Sequence, residues 1–234
     1  MLRRLIPSIC LMMFAILLVE SSVLPVYAAQ VRPVLILDAG HGGEDGGAVA
    51  ADGTAESGIN LAITRRLALV LTFLGEDILM TRKGEAAVYS PEASTLREKK
   101  VSDLRNRVAM INAESHAFVI SIHQNSLPGH PSVHGAKVFY NTIIPAERAA
   151  LAVQFALDLA ANSGEARRAT AIDSSIYLMK ESRHGAILVE CGFMSNGAEC
   201  SKLQDPIYQT RLAVAIAAGY ESFATEEGER NHEE

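Results

Sequence analysis

The sequence predicts an α/β domain: a twisted, mainly parallel or mixed sheet of about six strands with helices on both faces. Three observations carry this reading. Short apolar runs alternate with longer stretches of helical periodicity between residues 34 and 223. Key runs close on glycine-rich or polar turns, as strands buried on both faces do. No internal repeat or low-complexity linker interrupts the alternation, so a single domain accounts for it.

The elements follow in order. Val34 to Asp38 (VLILD) is a continuous apolar run before a glycine-rich turn, hence a buried strand. Ile59, Leu61, Ile63, Leu67 and Leu71 recur at helical spacing from about Glu56 to Leu74. Ile78 to Met80 is a second short strand. Residues 98 to 113 form an amphipathic helix, with Val101, Leu104, Val108 and Ile111 on its apolar face and Lys99, Lys100, Arg105 and Arg107 largely opposite. Phe118 to Ile122 and Ala136 to Tyr140 are strands, and Pro145 opens a helix to Ala161, proline being favoured at a first helical position. Ile176 to Met179 and Ala186 to Glu190 are expected as strands, and Tyr208 to Phe223 as the closing helix.

The two ends of the chain differ from this middle. Arg3 and Arg4 precede an uninterrupted apolar run, Ile9 to Val19, followed by the small-residue site Val26-Tyr27-Ala28. This pattern reads as an export signal, residues 1–28, or as an uncleaved anchor that would give a route to membrane association. Either way the catalytic body, residues 29–223, is expected outside the cytoplasm. Residues 224–234 carry five glutamates against Arg230 and read as an acidic, disordered tail.

Composition removes several functions. Lys and Arg total 21 against 27 Asp and Glu, a net charge of -6, so no basic excess exists to neutralise a nucleic-acid backbone. Three cysteines are too few for a disulfide scaffold or a four-thiolate zinc site, which leaves open a metal held by histidine and carboxylate. Cys10 lies within the export segment; Cys191 and Cys200 of the mature chain are expected to be reduced.

The candidate chemistry gathers at strand ends, where ligands sit in parallel sheets. The first strand runs into Asp38-Ala39-Gly40-His41-Gly42-Gly43, exposing an imidazole between glycines. A phosphate cradle fails here, because Asp45 stands where a GxGxxG register needs its third glycine. The third strand ends Ser121-Ile122-His123-Gln124-Asn125, and Glu56 opens the first long helix. Each has a bland explanation, Glu56 as an acid meeting a helix dipole for instance. Together, His41, Glu56 and His123 are the two-histidine, one-carboxylate set of a catalytic zinc, with Zn2+ as the expected cofactor. Glu190 ends the last strand, where an acid could serve as proton acceptor and donor or merely reach solvent. Asn60 and Asn125 could orient a ligand or substrate, or serve packing and turns equally well.

The blocks DAGHGG, Glu56 to Asn60 (E-x-x-x-N), SIHQNS and VECGFMSN, in this order, resemble the zinc-dependent N-acetylmuramoyl-L-alanine amidases that cleave peptidoglycan. The resemblance covers residues 31 to 223. It implies zinc on His41, Glu56 and His123, a catalytic carboxylate at Glu190 and peptidoglycan as substrate. Asp103 to Asn112 and Ser175 to Lys180 are closer to the sporulation and germination branch. That branch implies removal of the peptide side chain from muramic acid on the way to muramic-δ-lactam in spore cortex, between the mother-cell and forespore membranes. Only Leu127 to Val133 separates SIHQNS from the next strand, too little for the inhibitory helix of larger relatives, so regulation is expected from an activating protein partner or from the timing of expression. Residues 164–173, with Arg167 and Arg168, are candidates for lining the cleft. Two alternatives stand: a zinc carboxypeptidase acting on wall peptides, and an exported wall-binding protein without activity.

Overall fold

The computed structural model describes residues 32–172 and 176–233, with side chains as far as residue 230. The export segment expected over residues 1–28 lies outside them. Residues 32–234 make one compact unit. Its elements in chain order are β1 (Val34–Ala39), α1 (Glu56–Phe73), β2 (Ile78–Met80), α2 (Leu96–Ala113), β3 (Ala117–Asn125), β4 (Lys137–Tyr140), α3 (Ala146–Ala160), β5 (Thr170–Ala171), α4 (Tyr177–Glu181), β6 (Gly185–Phe193), α5 (Gly197–Gln204) and α6 (Pro206–Glu233).

The six strands form a mixed sheet in the order β2-β1-β3-β6-β4-β5. The central neighbours β1, β3 and β6 are parallel, as is β2 beside β1, while β4 runs antiparallel to β6. Alternation along each strand sends successive side chains to opposite faces. Leu35 and Leu37 of β1, Phe118, Ile120 and Ile122 of β3, and Ile187 and Val189 of β6 meet α1, α3 and α6 in the larger core. Ile36, Val119, Ala186 and Leu188 point the other way, onto Val108 and Ile111 of α2 and Leu178 and Met179 of α4. The sheet is therefore covered on both faces, as expected from its continuous apolar strands.

Three expectations need correction. Ile176 to Met179 is not a strand: residues Tyr177–Glu181 make a short helix. Leu178 and Met179 are buried against the smaller core, so two adjacent apolar residues that resemble part of a strand serve one helical turn. On α2, Val101 and Leu104 are exposed whereas Asp103 and Arg107 are buried, so the buried face of this helix is polar over its first half and apolar only at Val108 and Ile111. Its start follows a local rule: the Thr95 side chain accepts from Glu98 N while the Glu98 carboxylate accepts from Thr95 N, a complete capping box. Finally, the acidic segment expected to be a disordered tail continues α6 to Glu233. Arg148 of α3 pairs with Glu226 and Glu227, which holds part of this extension along α3. The helix α5 and the short edge strand β5 were not anticipated. Asn196 caps α5 by accepting from Glu199 N.

Candidate active site

Parallel register brings the chemistry to one end of the sheet. Asp38 of β1 lies opposite Ser121 of β3, and His123 of β3 opposite Glu190 of β6. His123 and Glu190 are thus direct cross-strand neighbours on the face that α2 covers further down. A bulge follows: His123 pairs with Glu190 but Asn125 with Phe193, so β6 carries an extra residue where the two strands part.

His41 stands just beyond β1 in a left-handed conformation, φ 59°, a backbone state that a non-glycine residue adopts only where its surroundings hold it. Two buried guanidinium groups do so. Arg107 donates to the carbonyls of Ala39 at 2.7 Å and His41 at 2.6 Å, and Arg82 donates to those of Ala39 at 2.8 Å and Gly40 at 3.0 Å. Arg107 is 1 % exposed and is balanced by Asp38 at 2.7 Å and Asp103 at 2.8 Å. Burial would raise the Asp38 carboxyl; Arg107 and the hydroxyls of Ser121 and Thr81 outweigh it and hold the group at about 2. Neither arginine was singled out from the sequence as part of the site. Their signal lay only in position, Arg107 four residues after Asp103 and Arg82 two residues past a strand.

Glu56 starts α1 but turns inward instead of toward solvent. Its Oε1 accepts from Gln124 N at 3.0 Å and Asn60 Nδ2 at 3.1 Å, and its Oε2 accepts from Ala48 N at 2.9 Å. Asn60 also donates to Gly40 O at 3.2 Å, so it ties the Glu56 carboxylate to the His41 loop. Asn125, by contrast, caps its own turn by accepting from Ser126 N. Burial alone would raise Glu56, but the hydrogen bond and charge of His123, the charge of His41 and the Ala48 amide keep it at about 2. Burial disfavours a charged His123, and Glu56 overcomes this and raises it.

The ligand atoms of His41, Glu56 and His123 all lie within 4.8 Å of one another. His41 Nε2 is 3.4 Å from Glu56 Oε2, and His123 Nδ1 is 3.0 Å from Glu56 Oε1. Metal–ligand bonds of about 2.0–2.1 Å in a tetrahedron give edges of roughly 3.3–3.4 Å. These donors therefore fit a divalent cation. Glycine is required on both sides of the cluster: a Cβ at Gly40 would stand 2.2 Å from the His123 ring, and one at Gly47 (φ 70°) 2.5 Å from Glu56 Oε2.

Glu190 borders the cluster, and its buried Oε2 has no hydrogen-bond partner among the described residues. Burial raises its carboxyl, His123 draws it back and Glu56 adds to the rise, leaving it at about 7. A carboxyl poised near neutrality can both take up and release a proton.

Other polar side chains stay outside the cluster. His130 and His134 are exposed on the loop after β3, and His184 contacts Glu114 O; none joins the cluster. Ser121 donates to Asp38 and Ser195 accepts from Leu127 N. Cys191 and Cys200 are free and buried, and burial pushes the Cys191 thiol strongly up, which suits packing and not nucleophilic attack. Arg167 lies against Gly135 beside Glu165, and Arg168 is exposed at the sheet edge near β5.

Known proteins agree with this geometry. A family model described as N-acetylmuramoyl-L-alanine amidase matches residues 35–222. The germination-specific N-acetylmuramoyl-L-alanine amidase of Bacillus subtilis is 31% identical over 196 residues, 84% of this chain and 81% of the relative. The structure of the CwlD amidase from Clostridioides difficile, solved in complex with the GerS lipoprotein, aligns with a TM-score of 0.78 at 34% identity, over 82% of this chain and 98% of that one. The amidase AmiC2 of Nostoc punctiforme aligns with a TM-score of 0.69 at 25% identity, over 82% and 97%. The six-stranded mixed sheet, the helices on its two faces and the match across nearly the whole described unit lead to one conclusion: the chain belongs to the Amidase_3 family of N-acetylmuramoyl-L-alanine amidases, enzymes that hydrolyse peptidoglycan.

Proposed function

We propose that the enzyme is a zinc amidase that cuts the bond between the lactyl carbonyl of N-acetylmuramic acid and L-alanine. His41, Glu56 and His123 hold the metal and Glu190 moves the proton. The observation that carries this is the convergence of two imidazoles and a buried carboxylate beside the unpartnered Glu190 Oε2. A zinc ion on that set supplies the Lewis acidity that makes water nucleophilic near neutral pH and polarises the scissile carbonyl.

The chain's own residues do the rest. Asn60 and the amides of Gln124 and Ala48 fix the Glu56 carboxylate, so its oxygens stay aimed at the two imidazoles. Glu190 takes the proton of the attacking water and returns it to the alanine nitrogen as the C–N bond breaks. Burial raises its carboxyl above the ordinary carboxylate range, which favours uptake of a proton from the attacking water.

The biological setting belongs to the same proposal. The chain acts outside the cytoplasm, delivered by residues 1–28, in the peptide removal that precedes muramic-δ-lactam formation in spore cortex. Likeness to a germination-specific amidase supports this. An activating protein partner is part of the reading, because the CwlD structure was solved with a lipoprotein bound.

The test is digestion of purified peptidoglycan by the purified protein, with and without a chelator, followed by mass analysis. Release of peptides that begin with L-Ala, abolished by chelator and restored by zinc, is expected. Trimming at the far end of the peptide would replace this reading with a carboxypeptidase. His123→Ala should lose the bound metal; undiminished zinc content in that variant would overturn the ligand set.

A further inference from the structure

The two histidines of the cluster are both seated against a glycine and differ in what backs the ring. His123 is fixed by packing, its ring edge seated on Gly40 so closely that no side chain fits there, while its Nδ1 faces Glu56 Oε1. His41 also packs against glycine, since a Cβ at Gly47 would stand 2.7 Å from its Cδ2, and it sits on a loop of left-handed backbone. What meets the far side of its ring is Asp45. The Asp45 Oδ2 lies 2.9 Å from His41 Nδ1, and Lys100 at the start of α2 holds the other oxygen, Oδ1, at 2.8 Å. Asp45 is itself tied down. Its amide and carbonyl bond reciprocally with those of Gly42 at 3.1 and 2.9 Å, and Oδ1 also accepts from Gly47 N at 3.3 Å.

We infer that Asp45, set in place by Lys100, is a positioning residue that selects the nitrogen His41 presents to the metal. A carboxylate can only accept, so it requires the proton on Nδ1 and leaves the lone pair on Nε2, the atom 3.4 Å from Glu56 Oε2. The two ligands thus offer unlike nitrogens, Nε2 from His41 and Nδ1 from His123. The chain from α2 through Lys100 and Asp45 to His41 couples the seat of that helix to the metal position. This inference rests on the proposed ligand set.

The test uses the full chain stripped of metal. Zinc affinity is measured by competition with a chromophoric chelator, the His41 imidazole is followed by nitrogen-15 NMR, and the melting temperature of the metal-free protein is recorded. Asp45→Ala should weaken zinc binding about 10–100-fold, remove the Nδ1-protonated signature of His41 and leave metal-free melting unchanged. Asp45→Asn, which keeps an oxygen acceptor, should fall between that variant and the wild type. Lys100→Met should cost up to about fivefold, the range for a partly exposed ion pair. Wild-type zinc affinity in Asp45→Ala would overturn the inference, as would a lowered melting temperature with affinity unchanged. If His41→Ala also bound zinc normally, the ligand set would fall and this inference with it; weakened binding in His41→Ala beside normal binding in Asp45→Ala would overturn this inference alone.

Discussion

The two faces of the sheet are built to different ends. Against α1, α3 and α6 the sheet packs a continuous apolar core that reaches from Phe118 through Leu37 to Val189 and Cys191. Against α2 and α4 the apolar core is small, and toward the carboxyl ends of the strands it gives way to the buried pair Asp38 and Arg107 with Asp103. The first face is where apolar burial concentrates. The second uses buried charge to hold the carbonyls of the His41 loop, an arrangement that apolar residues can match in stability but not in direction. The backing of the His41 loop is therefore separable from the larger apolar core.

Five substitutions test that separation. The largest effect is expected from Glu190→Gln, which removes the proposed proton carrier and nothing from either core: turnover of muropeptide should fall about 10²–10⁴-fold while zinc content is kept. Normal cleavage by this variant would sink the assignment of Glu190. Next comes Arg107→Ala, which leaves Asp38 buried and uncompensated and should destabilise the fold by about 3–5 kcal/mol in denaturant titration. Arg107→Met sharpens the comparison. It restores the bulk of the side chain but leaves Asp38 unpaired, so it should recover only part of that stability and keep a defect in zinc affinity, because the His41 carbonyl loses its donor and the Ala39 carbonyl keeps only Arg82; full recovery of both would mean that neither depends on the charge.

The control on the other face is Leu157→Ala, within the larger core, expected to cost about 2–5 kcal/mol with zinc affinity of the folded protein unchanged. A change in metal binding there would join the two faces that the geometry separates. The smallest effect is in the pH dependence of stability. Asp38 is held at about 2 against an ordinary value of 3.8, so its charged form contributes about 2 kcal/mol to folding at neutral pH. A lowered carboxyl stabilises above its unfolded value, and that share is lost as the pH falls from about 4 through 2. Denaturant midpoints from pH 5 downward should therefore decline less steeply in Asp38→Asn than in the wild type, on a lower starting stability. Parallel declines would show that Asp38 contributes none of the acid sensitivity.

The elements that were legible in the sequence obey local rules. VLILD before glycine, the apolar run ending in His123 and the run ending in Glu190 are strands because a stretch apolar on both sides must be buried on both faces. That placed three of the four site residues at strand ends, and the opening of α1 placed Glu56. Where the pattern was short, it misled. Leu178 and Met179 suit a strand or a helical turn equally, and packing beneath the sheet chose the turn. Arg107 read as the solvated side of α2, because four cations lie in that stretch and nothing local distinguishes the one that is buried. The acidic end of α6 read as solvated for the same reason; Arg148 on another helix meets it.

The sequence by itself determined the strand and helix order, the chemical types available at the strand ends and, through four ordered motifs, the family. Those properties depend on neighbours a few residues away, which periodicity and turn chemistry report. Only the tertiary structure decided which charges are buried, which nitrogen of His41 faces Glu56 and which carboxylate is left without a partner. Such contacts join Asp38 to Arg107 and Glu56 to His123 across more than sixty residues of chain. Their energies come from burial and from distances that exist only once the sheet has brought its strand ends together.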